Sequence, residues 1–145
     1  MSVDSGSVLV DTNILLYAHD ISAGSKHIIS KRLVEDLWQS GLGCVSLQIL
    51  QEFYVDVTQK IPNPLERNLA RQLVAELSQW RSHIPDVDDM LRAIDLQPAY
   101  QLSFWEAMVL HSSARLGCKK LYSEDLNHGQ IYGNVQVINP FVGKD

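Results

Sequence analysis

Apolar residues recur along the chain with two alternating spacings. Short runs of strand-forming residues lie at 7–10, 43–46, 83–87, 119–122 and 135–138. Between them are longer stretches in which apolar residues recur every three or four positions, the helical period. These stretches span 26–39, 46–60, 64–81, 88–96 and 103–117. Strands that alternate with helices predict an α/β fold with a mainly parallel sheet.

Prolines refine several of these boundaries. Pro85 cannot donate a backbone hydrogen bond, so the segment 83–87 is expected at a sheet edge or at the end of a strand. Pro64 is suited to the first turn of the helix that follows it. Pro98 is expected to limit the extension of the helix at 88–96.

The chain is 145 residues long, a length typical of one domain, and it contains no repeat or linker. We therefore predict a single domain over 1–145. Hydrophobic residues make up 46% and charged residues 20% of the sequence, as in an ordinary globular protein. The 12 Lys and Arg residues and 17 Asp and Glu residues give a formal charge of −5. That sign argues against a protein that coats nucleic acid by neutralising phosphates.

Two cysteines, Cys44 and Cys118, are too few for a disulfide framework or a four-cysteine zinc site. We expect them to be small core residues in a reducing compartment. Residues 1–6 lack the basic start and the apolar run of a secretory signal. No apolar stretch approaches the ~20 residues that cross a bilayer. These features predict a cytoplasmic protein with no membrane association.

Acidic residues follow two of the clearest predicted strands. Asp11 comes directly after the strand at 7–10, and Asp125 comes shortly after the strand at 119–122. In open α/β sheets, ligands bind in the crevice outside the carboxyl ends of the strands, so both carboxylates are expected to face one crevice. Glu52 and Glu106 lie on predicted helices that begin near the same edge. The sequence therefore predicts four converging carboxylates.

Carboxylates that converge in a partly dehydrated cleft repel one another and do not all ionise unaided. Mg²⁺ and Mn²⁺ relieve this repulsion, because they prefer oxygen ligands and bind through a few carboxylates together with substrate phosphate oxygens. Such an ion activates water and stabilises the leaving oxygen of a phosphodiester. The acidic cluster is therefore a candidate site for metal-dependent phosphodiester hydrolysis.

The two acids nearest the N-terminus also have structural interpretations. Asp11 could be the N-cap of the helix that follows it. Glu52 shares a helix face with Gln48 and Asp56, so a solvated polar face explains it equally well. Both alternatives stay open on the sequence alone.

The two later acids have local alternatives as well. Ser103 and Glu106 fit the capping box S-x-x-E, in which the glutamate reaches back to the N-cap amide. Asp125 could instead stabilise a turn with Asn127 and Gly129. Capping and metal binding do not exclude each other, but one carboxylate has limited capacity for both.

Other side chains give weaker indications of substrate recognition. The tryptophans lie on apolar helix faces, where packing in the core or in a dimer interface is expected in preference to base stacking: Trp38, Trp80 and Trp105. Glu124 is expected to face solvent. His128, shortly after the last acid, is a candidate substrate contact.

Several segments of the chain resemble the PIN domain family, and within it the VapC-type ribonuclease toxins of prokaryotic toxin–antitoxin pairs. These segments are VDTNILLY at 10–17, QEF at 51–53, LSFWEA at 102–107, LYSEDLNHG at 121–129 and INPF at 138–141. Their order and spacing match the family across nearly the whole chain. DTN after a short strand is moderately specific, and together with SEDLNHG and NPF it makes a strong match.

The resemblance assigns family roles to individual residues. It makes three residues the first, second and fourth acids of the family's site: Asp11, Glu52 and Asp125. It places three polar residues where the family has side chains that line or orient the site: Thr12, Asn13 and Ser123. Glu106 stands where the family normally has the Asp of a W-D-A segment, a change that keeps the charge and adds one methylene.

The resemblance further implies a single PIN-like domain with a five-stranded parallel sheet flanked by helices, Mg²⁺- or Mn²⁺-dependent endoribonuclease activity, a homodimer and a small antitoxin protein as partner. Under this hypothesis Asp11, Glu106 and Asp125 hold a metal ion that activates water for attack on RNA. Glu52 is then a ligand or an orienting group acting through water. The alternative is a PIN-like module that binds RNA or a partner and has weakened or lost catalysis, because Glu106 replaces the family's Asp.

Overall fold

A computed structural model describes residues 6–143 of the chain. Residues 1–5, which include most of the segment in which no secretory signal is predicted, lie outside this range, as do 144–145. The described strands are β1 (Val8–Val10), β2 (Gly43–Ser46), β3 (Arg81–His83), β4 (Lys120–Tyr122), β5 (Ile131–Tyr132) and β6 (Val135–Ile138). The α-helices are α1 (Thr12–Tyr17), α2 (Ser25–Ser40), α3 (Leu47–Gln59), α4 (Arg67–Leu77), α5 (Val87–Tyr100) and α6 (Phe104–Arg115), with a 3₁₀ turn at Ile21–Ala23.

The strands form one mixed sheet in the order β3-β2-β1-β4-β6-β5. Neighbouring strands from β3 to β6 pair in parallel, which confirms the predicted five-stranded parallel sheet flanked by helices. The sixth strand, β5, pairs antiparallel with β6 and was not predicted. It contains only two residues, too few for a recognisable pattern, and the tight turn after it uses Gly133 at φ +61°.

The direction in which successive strands are added to the sheet reverses at its centre, between β1 and β4. From β1 the chain moves outward through β2 to β3, then returns to β4 on the other side of β1. Such a switch point leaves a crevice at the carboxyl ends of the two central strands. The backbone pairing continues to that edge, where the amide of Asp11 donates to the carbonyl of Tyr122 over 2.9 Å.

Two predicted boundaries are wrong in the middle of the chain. Strand β3 lies at Arg81–His83 rather than at 83–87, because pairing stops before Pro85. Helix α4 begins at Arg67 instead of near Pro64, and Glu66 is its N-cap. The Glu66 carboxylate accepts from the amide of Asn68 over 2.7 Å, and this capping hydrogen bond determines the start of the helix.

Helix α5 extends beyond the end that Pro98 was expected to impose. Pro98 lies inside the helix, which continues to Tyr100 and ends at Gln101 in the left-handed conformation, φ 55°. Contacts with the β5–β6 hairpin hold this last turn, because the ring of Tyr100 packs edge-on against Tyr132 at 5.1 Å. The Tyr100 hydroxyl also accepts from the amide of Gly133 over 2.8 Å. These tertiary contacts compensate for the hydrogen bond that proline cannot make.

The core is continuous across the sheet. Leu9 and Val10 of β1, Ile14 of α1 and Phe53 of α3 are completely buried, so the central strand is covered by apolar side chains. Cys44 and Cys118 are both buried, as expected for small core residues. Within residues 6–143, the longest apolar helical stretches fall short of what a bilayer crossing requires.

A buried carboxylate joins β3, α5 and α6. Asp89 is 3% exposed and accepts from Nε2 of His111 over 2.7 Å and from Nε2 of His83 over 3.1 Å. It also accepts from the amide of Asp86 over 2.9 Å, as part of the capping box of α5. First this amide and then His111 hold the pKa of Asp89 well below its usual range. This network fixes the outer strand of the sheet to both C-terminal helices.

We predict that Asp89→Asn lowers the free energy of unfolding by about 2–4 kcal/mol, because an amide replaces a charge that compensates several buried donors. A carboxyl with a lowered pKa stabilises the fold fully above its unfolded pKa. The deficit of the variant should therefore shrink as the pH falls below about 4. Urea unfolding at pH 7 and at lower pH measures both effects.

Asp88→Asn is the matched control, because Asp88 is the adjacent acid and its side chain is 63% exposed in an ion pair with Arg92. We expect this control to change the free energy of unfolding by less than about 0.5 kcal/mol. Equal losses in the two variants would contradict a special role for the buried network.

Candidate active site

One cleft at the switch point of the sheet contains all four predicted acids. Asp11, Glu52, Glu106 and Asp125 line it together with the side chains of Thr12 and Asn13. Asp11 directly follows β1, Asp125 follows β4, and the two glutamates project from α3 and α6. The predicted convergence at the carboxyl edge of the sheet is therefore present in the structure.

Asp11 is both the N-cap of α1 and a wall of the cleft. One carboxylate oxygen accepts from the amide of Thr12 and the other from the hydroxyl of Ser123, each over 2.8 Å. Burial, and to a smaller extent the charges of Asp125 and Glu52, raise the pKa of Asp11 to about 6 against these two hydrogen bonds. The N-cap alternative is thus correct without removing Asp11 from the acidic cluster.

Ser123 connects two of the acids. Its hydroxyl donates to Asp11, and its oxygen accepts from the backbone amide of Asp125 over 3.1 Å. Ser123 is itself completely buried directly after β4, so the sheet fixes its position. The predicted role of Ser123 as an orienting residue therefore has a direct geometric basis.

Asp125 is held toward the cleft by α1. The side-chain amide of Asn13 donates to the Asp125 carboxylate over 2.9 Å. Burial and then the charge of Glu124 raise the pKa of Asp125, and Glu106 adds to this effect. Among residues 6–143 this carboxylate accepts from Asn13 rather than from Asn127, and the turn that follows is closed by the amide of Gln130, which donates to the carbonyl of Asn127 over 3.2 Å.

Glu52 is tied to the start of α1. Its carboxylate accepts from the hydroxyl of Thr12 over 2.9 Å. The helix face that it shares with Gln48 and Asp56 is also part of the cleft wall. Gln48 is almost fully buried, and Asp56 is paired with Lys60 over 3.3 Å. A solvated polar face therefore does not fully describe this side of α3.

Glu106 caps α6 and also lies in the wall of the cleft. Its amide donates to the Ser103 hydroxyl over 3.1 Å, and its carboxylate accepts from the Ser103 amide over 2.9 Å. This is the complete capping box at the start of α6. The same side chain lines the acidic cleft and contributes to the raised pKa of Asp125.

The sequence predicts that Glu124 faces solvent, but in the structure its carboxylate has specific partners. Its carboxylate pairs with Lys26 over 2.8 Å and accepts from the hydroxyl of Tyr17. Lys26 also lies over the rings of Tyr17 and Phe141, at 5.2 and 5.4 Å from their centroids. These contacts fix the segment that carries Asp125. The partners are distant in sequence, so no local pattern identifies them.

The structure agrees with the packing predicted for two of the tryptophans but not with a core position for Trp105, and it leaves His128 outside the cleft wall. Trp80 is a core residue and packs against Trp38 with ring centroids 5.3 Å apart, as predicted for packing tryptophans. Trp105 is 60% exposed and lines the cleft, so a core position is wrong, whereas packing in a dimer interface stays a prediction. His128 is exposed, accepts from the backbone amide of Asn139 and is not part of the cleft wall.

The donors in the cleft suit a hydrated oxygen-preferring cation. Within residues 6–143, no three Asp, Glu, His or Cys side chains form a ready-made set of metal ligands. Mg²⁺, however, usually keeps several waters and needs only one or two direct carboxylates. Two buried amide oxygens on the cleft wall, those of Asn13 and Gln48, accept no hydrogen bond from the protein. Water bound in the cleft would satisfy them.

Comparison with known proteins agrees with this fold. The family model of the PIN domain matches residues 8–134. No curated protein sequence is significantly similar to the chain. Among solved structures, the chain is similar to Mycobacterium tuberculosis VapC20, described as a toxin that cleaves the sarcin–ricin loop. The TM-score is 0.62 at 18% identity, over 82% of this chain and 90% of that one.

The fold is also similar to a toxin–antitoxin complex from Klebsiella pneumoniae, with a TM-score of 0.65 at 20% identity over 92% of this chain and 98% of that one. The matched residues 8–134 run from β1 to the β5–β6 hairpin and include Asp11, Glu52, Glu106 and Asp125. The chain therefore belongs to the PIN domain family.

Proposed function

We propose that this PIN domain is a Mg²⁺- or Mn²⁺-dependent endoribonuclease that acts in the cytoplasm as the toxin of a toxin–antitoxin pair. The observation that carries the proposal is the cleft in which four carboxylates converge, with Asp11 and Asp125 joined through Ser123. The family and the toxins among the structural neighbours support the same activity. The neighbour described as a toxin–antitoxin complex supports a small antitoxin as the partner.

Asp11, Glu106 and Asp125 are the residues that would hold the metal, with Glu52 as a ligand or as an orienting group through water. When bound, the ion would supply an activated water and stabilise the charge that develops on the phosphate of the RNA. The raised pKa values of Asp11 and Asp125 support this assignment, because a cation removes the repulsion and desolvation that raise them.

The surrounding polar residues position the acids. Asn13 holds Asp125, and Ser123 holds Asp11, through one neutral hydrogen bond each. Thr12 donates its amide to Asp11 and its hydroxyl to Glu52, so one residue orients two carboxylates. Neutral donors fix these groups without neutralising them, which keeps negative charge in the cleft for a cation.

A second candidate is a PIN-like module with weakened catalysis that binds RNA or a partner. The specific observation in its favour is the capping box, because the Glu106 carboxylate already accepts from the Ser103 amide. A carboxylate engaged at the helix terminus has less capacity to bind a metal ion.

The homodimer also belongs to the proposal. An exposed apolar stripe runs along α5 and the segment just before it, with side chains that are 41–73% exposed: Ile84, Val87, Met90, Leu91 and Ile94. The spacing of the four helical residues places them on one face. A contiguous apolar face of this kind is typical of a protein interface, and we assign it to a second copy of the chain.

We predict that Asp11→Asn lowers metal-dependent RNA cleavage by about 100-fold or more, because the variant loses a charged ligand at the centre of the cleft. The measurement is cleavage of total RNA with Mn²⁺ or Mg²⁺ against EDTA. Expression of the wild type should arrest growth, and expression of the variant should not. Retained Mg²⁺-dependent cleavage by the variant would contradict the proposal.

The same variant should be more stable than the wild type without metal. A carboxyl whose folded pKa is raised loses its contribution to stability as the pH rises from about 4 through 6, and Asn avoids this loss. At pH 8 the gain should be up to about 3 kcal/mol, and it should shrink toward pH 4. Asp95→Asn, an exposed acid on α5, is the control and should change neither activity nor stability.

Glu106→Asp separates the two candidate functions. An Asp at the same helix position completes the capping box of α5, so the shorter acid is compatible with capping and the variant should fold normally. If the site is already competent, the cleavage rate should change by less than about tenfold, or 1.4 kcal/mol of transition-state stabilisation. A larger gain would favour the module with weakened catalysis.

We predict that Leu91→Glu converts the dimer into a monomer, because it places a charge in the apolar stripe of α5. Ile131→Glu is the control, because Ile131 is comparably exposed but lies on β5. Sedimentation velocity distinguishes the two states. A wild-type protein that sediments as a monomer at tens of micromolar would contradict the assignment of this face.

A further inference from the structure

We propose that the indole of Trp105 is a stacking platform for an unpaired nucleobase next to the cleaved phosphate. The inference rests on the proposed ribonuclease function and specifies its substrate class as single-stranded or looped RNA. Trp105 occupies the first turn of α6, directly before Glu106, and lines the same cleft as Asp11 and Asp125.

The exposure of Trp105 distinguishes it from the other tryptophans of the chain. Trp80 is buried and Trp38 is 42% exposed, and their rings pack against each other, so both have a packing role. Trp105 keeps 60% of its surface exposed. Its only ring partner among the described residues is Phe104, at 4.9 Å and 73°, which contacts it edge-on. Large aromatic surface left open beside a polar cleft is typical of a ligand contact.

The charge of the cleft favours neutral contacts such as base stacking over phosphate contacts at this wall. Among the described residues that line the cleft, none is Lys, Arg or His, whereas five are acidic, including Asp56. Phosphate contacts to basic side chains, which dominate most nucleic-acid binding, are therefore absent from this wall. Beyond a bound metal, this wall can therefore add affinity only through neutral contacts. Stacking on an aromatic side chain contributes such affinity for every base, because each base has a π-face.

The remaining cleft wall is compatible with a base on this platform. Leu16, Val109 and Leu126 add apolar surface beside the indole and the acids. A base within a duplex is stacked on its neighbours and cannot present its face to a side chain. Recognition by stacking therefore selects unpaired nucleotides in loops, bulges or ends.

The first test measures binding separately from cleavage. A fluorescein-labelled single-stranded RNA of eight nucleotides is titrated with protein in Ca²⁺, and a gel checks that the strand stays intact. We expect Trp105→Ala to weaken binding by about 5- to 100-fold, and Trp105→Phe to retain most of it because an aromatic face remains. The same sequence as a duplex should bind weakly and should not respond to Trp105→Ala.

Ile131→Ala is the matched control, because Ile131 is also 60% exposed but lies away from the cleft on β5. It should bind RNA like the wild type. Equal affinity of Trp105→Ala and wild type for the single strand would overturn the proposal. So would a Trp105→Ala protein that loses its dimer, because Trp105 would then be an interface residue.

An abasic scan tests the stacking contact itself. Each nucleotide of the single strand is replaced in turn by an abasic residue. In the wild type, removal of one particular base should weaken binding about as much as Trp105→Ala does, and in Trp105→Ala the same removal should have little further effect. Additive losses at every position would overturn the assignment.

The two hypotheses fail in different ways. If the wild type binds RNA through Trp105 but shows no metal-dependent cleavage, the ribonuclease function is wrong and the stacking site stands. If it cleaves RNA and Trp105→Ala cleaves and binds equally well, the stacking site is wrong and the ribonuclease function stands.

Discussion

The whole site depends on one constraint, which is that Asp11 must remain a carboxylate at the buried end of the central strand. Burial is the largest factor that raises its pKa to about 6, and the neighbouring acids contribute to the same shift. Hydrogen bonds from Thr12 and Ser123 offset this only in part. The order in which strands are added to the sheet reverses between β1 and β4, and this places the groups at one edge. The sheet topology itself therefore concentrates negative charge.

A comparison of Asp11 with Asp89 shows how surroundings decide the role of a carboxylate. Asp89 is 3% exposed, yet its pKa is lowered, because the Asp86 amide, His111 and His83 all compensate its charge. Arg115 lies 3.7 Å away as well. Asp11 has only neutral donors and two acidic neighbours. The charge of Asp89 is therefore compensated within the protein, whereas Asp11 is held by neutral donors beside two other acids. This difference separates a structural acid from a candidate metal ligand.

The sequence predicts the features that rest on local patterns. Three features follow from periodicity and from the position of Asp11 and Asp125 after strands. They are the parallel strands, the capping of α1 and α6, and the convergence of the four acids. Features that rest on distant contacts are missed. Helix α5 continues through Pro98 because Tyr100 packs on the β5–β6 hairpin, and Glu124 is fixed by Lys26 and Tyr17. The exposure of Trp105 is missed because an apolar helical pattern does not reveal which aromatic residue a neighbouring cleft leaves open.

The glutamate at position 106 can be interpreted by comparing the two capping boxes of the chain. In α5 the third helical residue is Asp89, and in α6 the corresponding residue is Glu106, and both carboxylates accept from the amide of their N-cap. Helix capping in this fold is therefore satisfied by either acid. The longer side chain at 106 is therefore not required by the helix. Its carboxylate returns to the Ser103 amide over 2.9 Å, so the extra methylene does not carry the charge away from the start of α6. The same acid lines the cleft, so its charge acts at the helix terminus and at the cleft together.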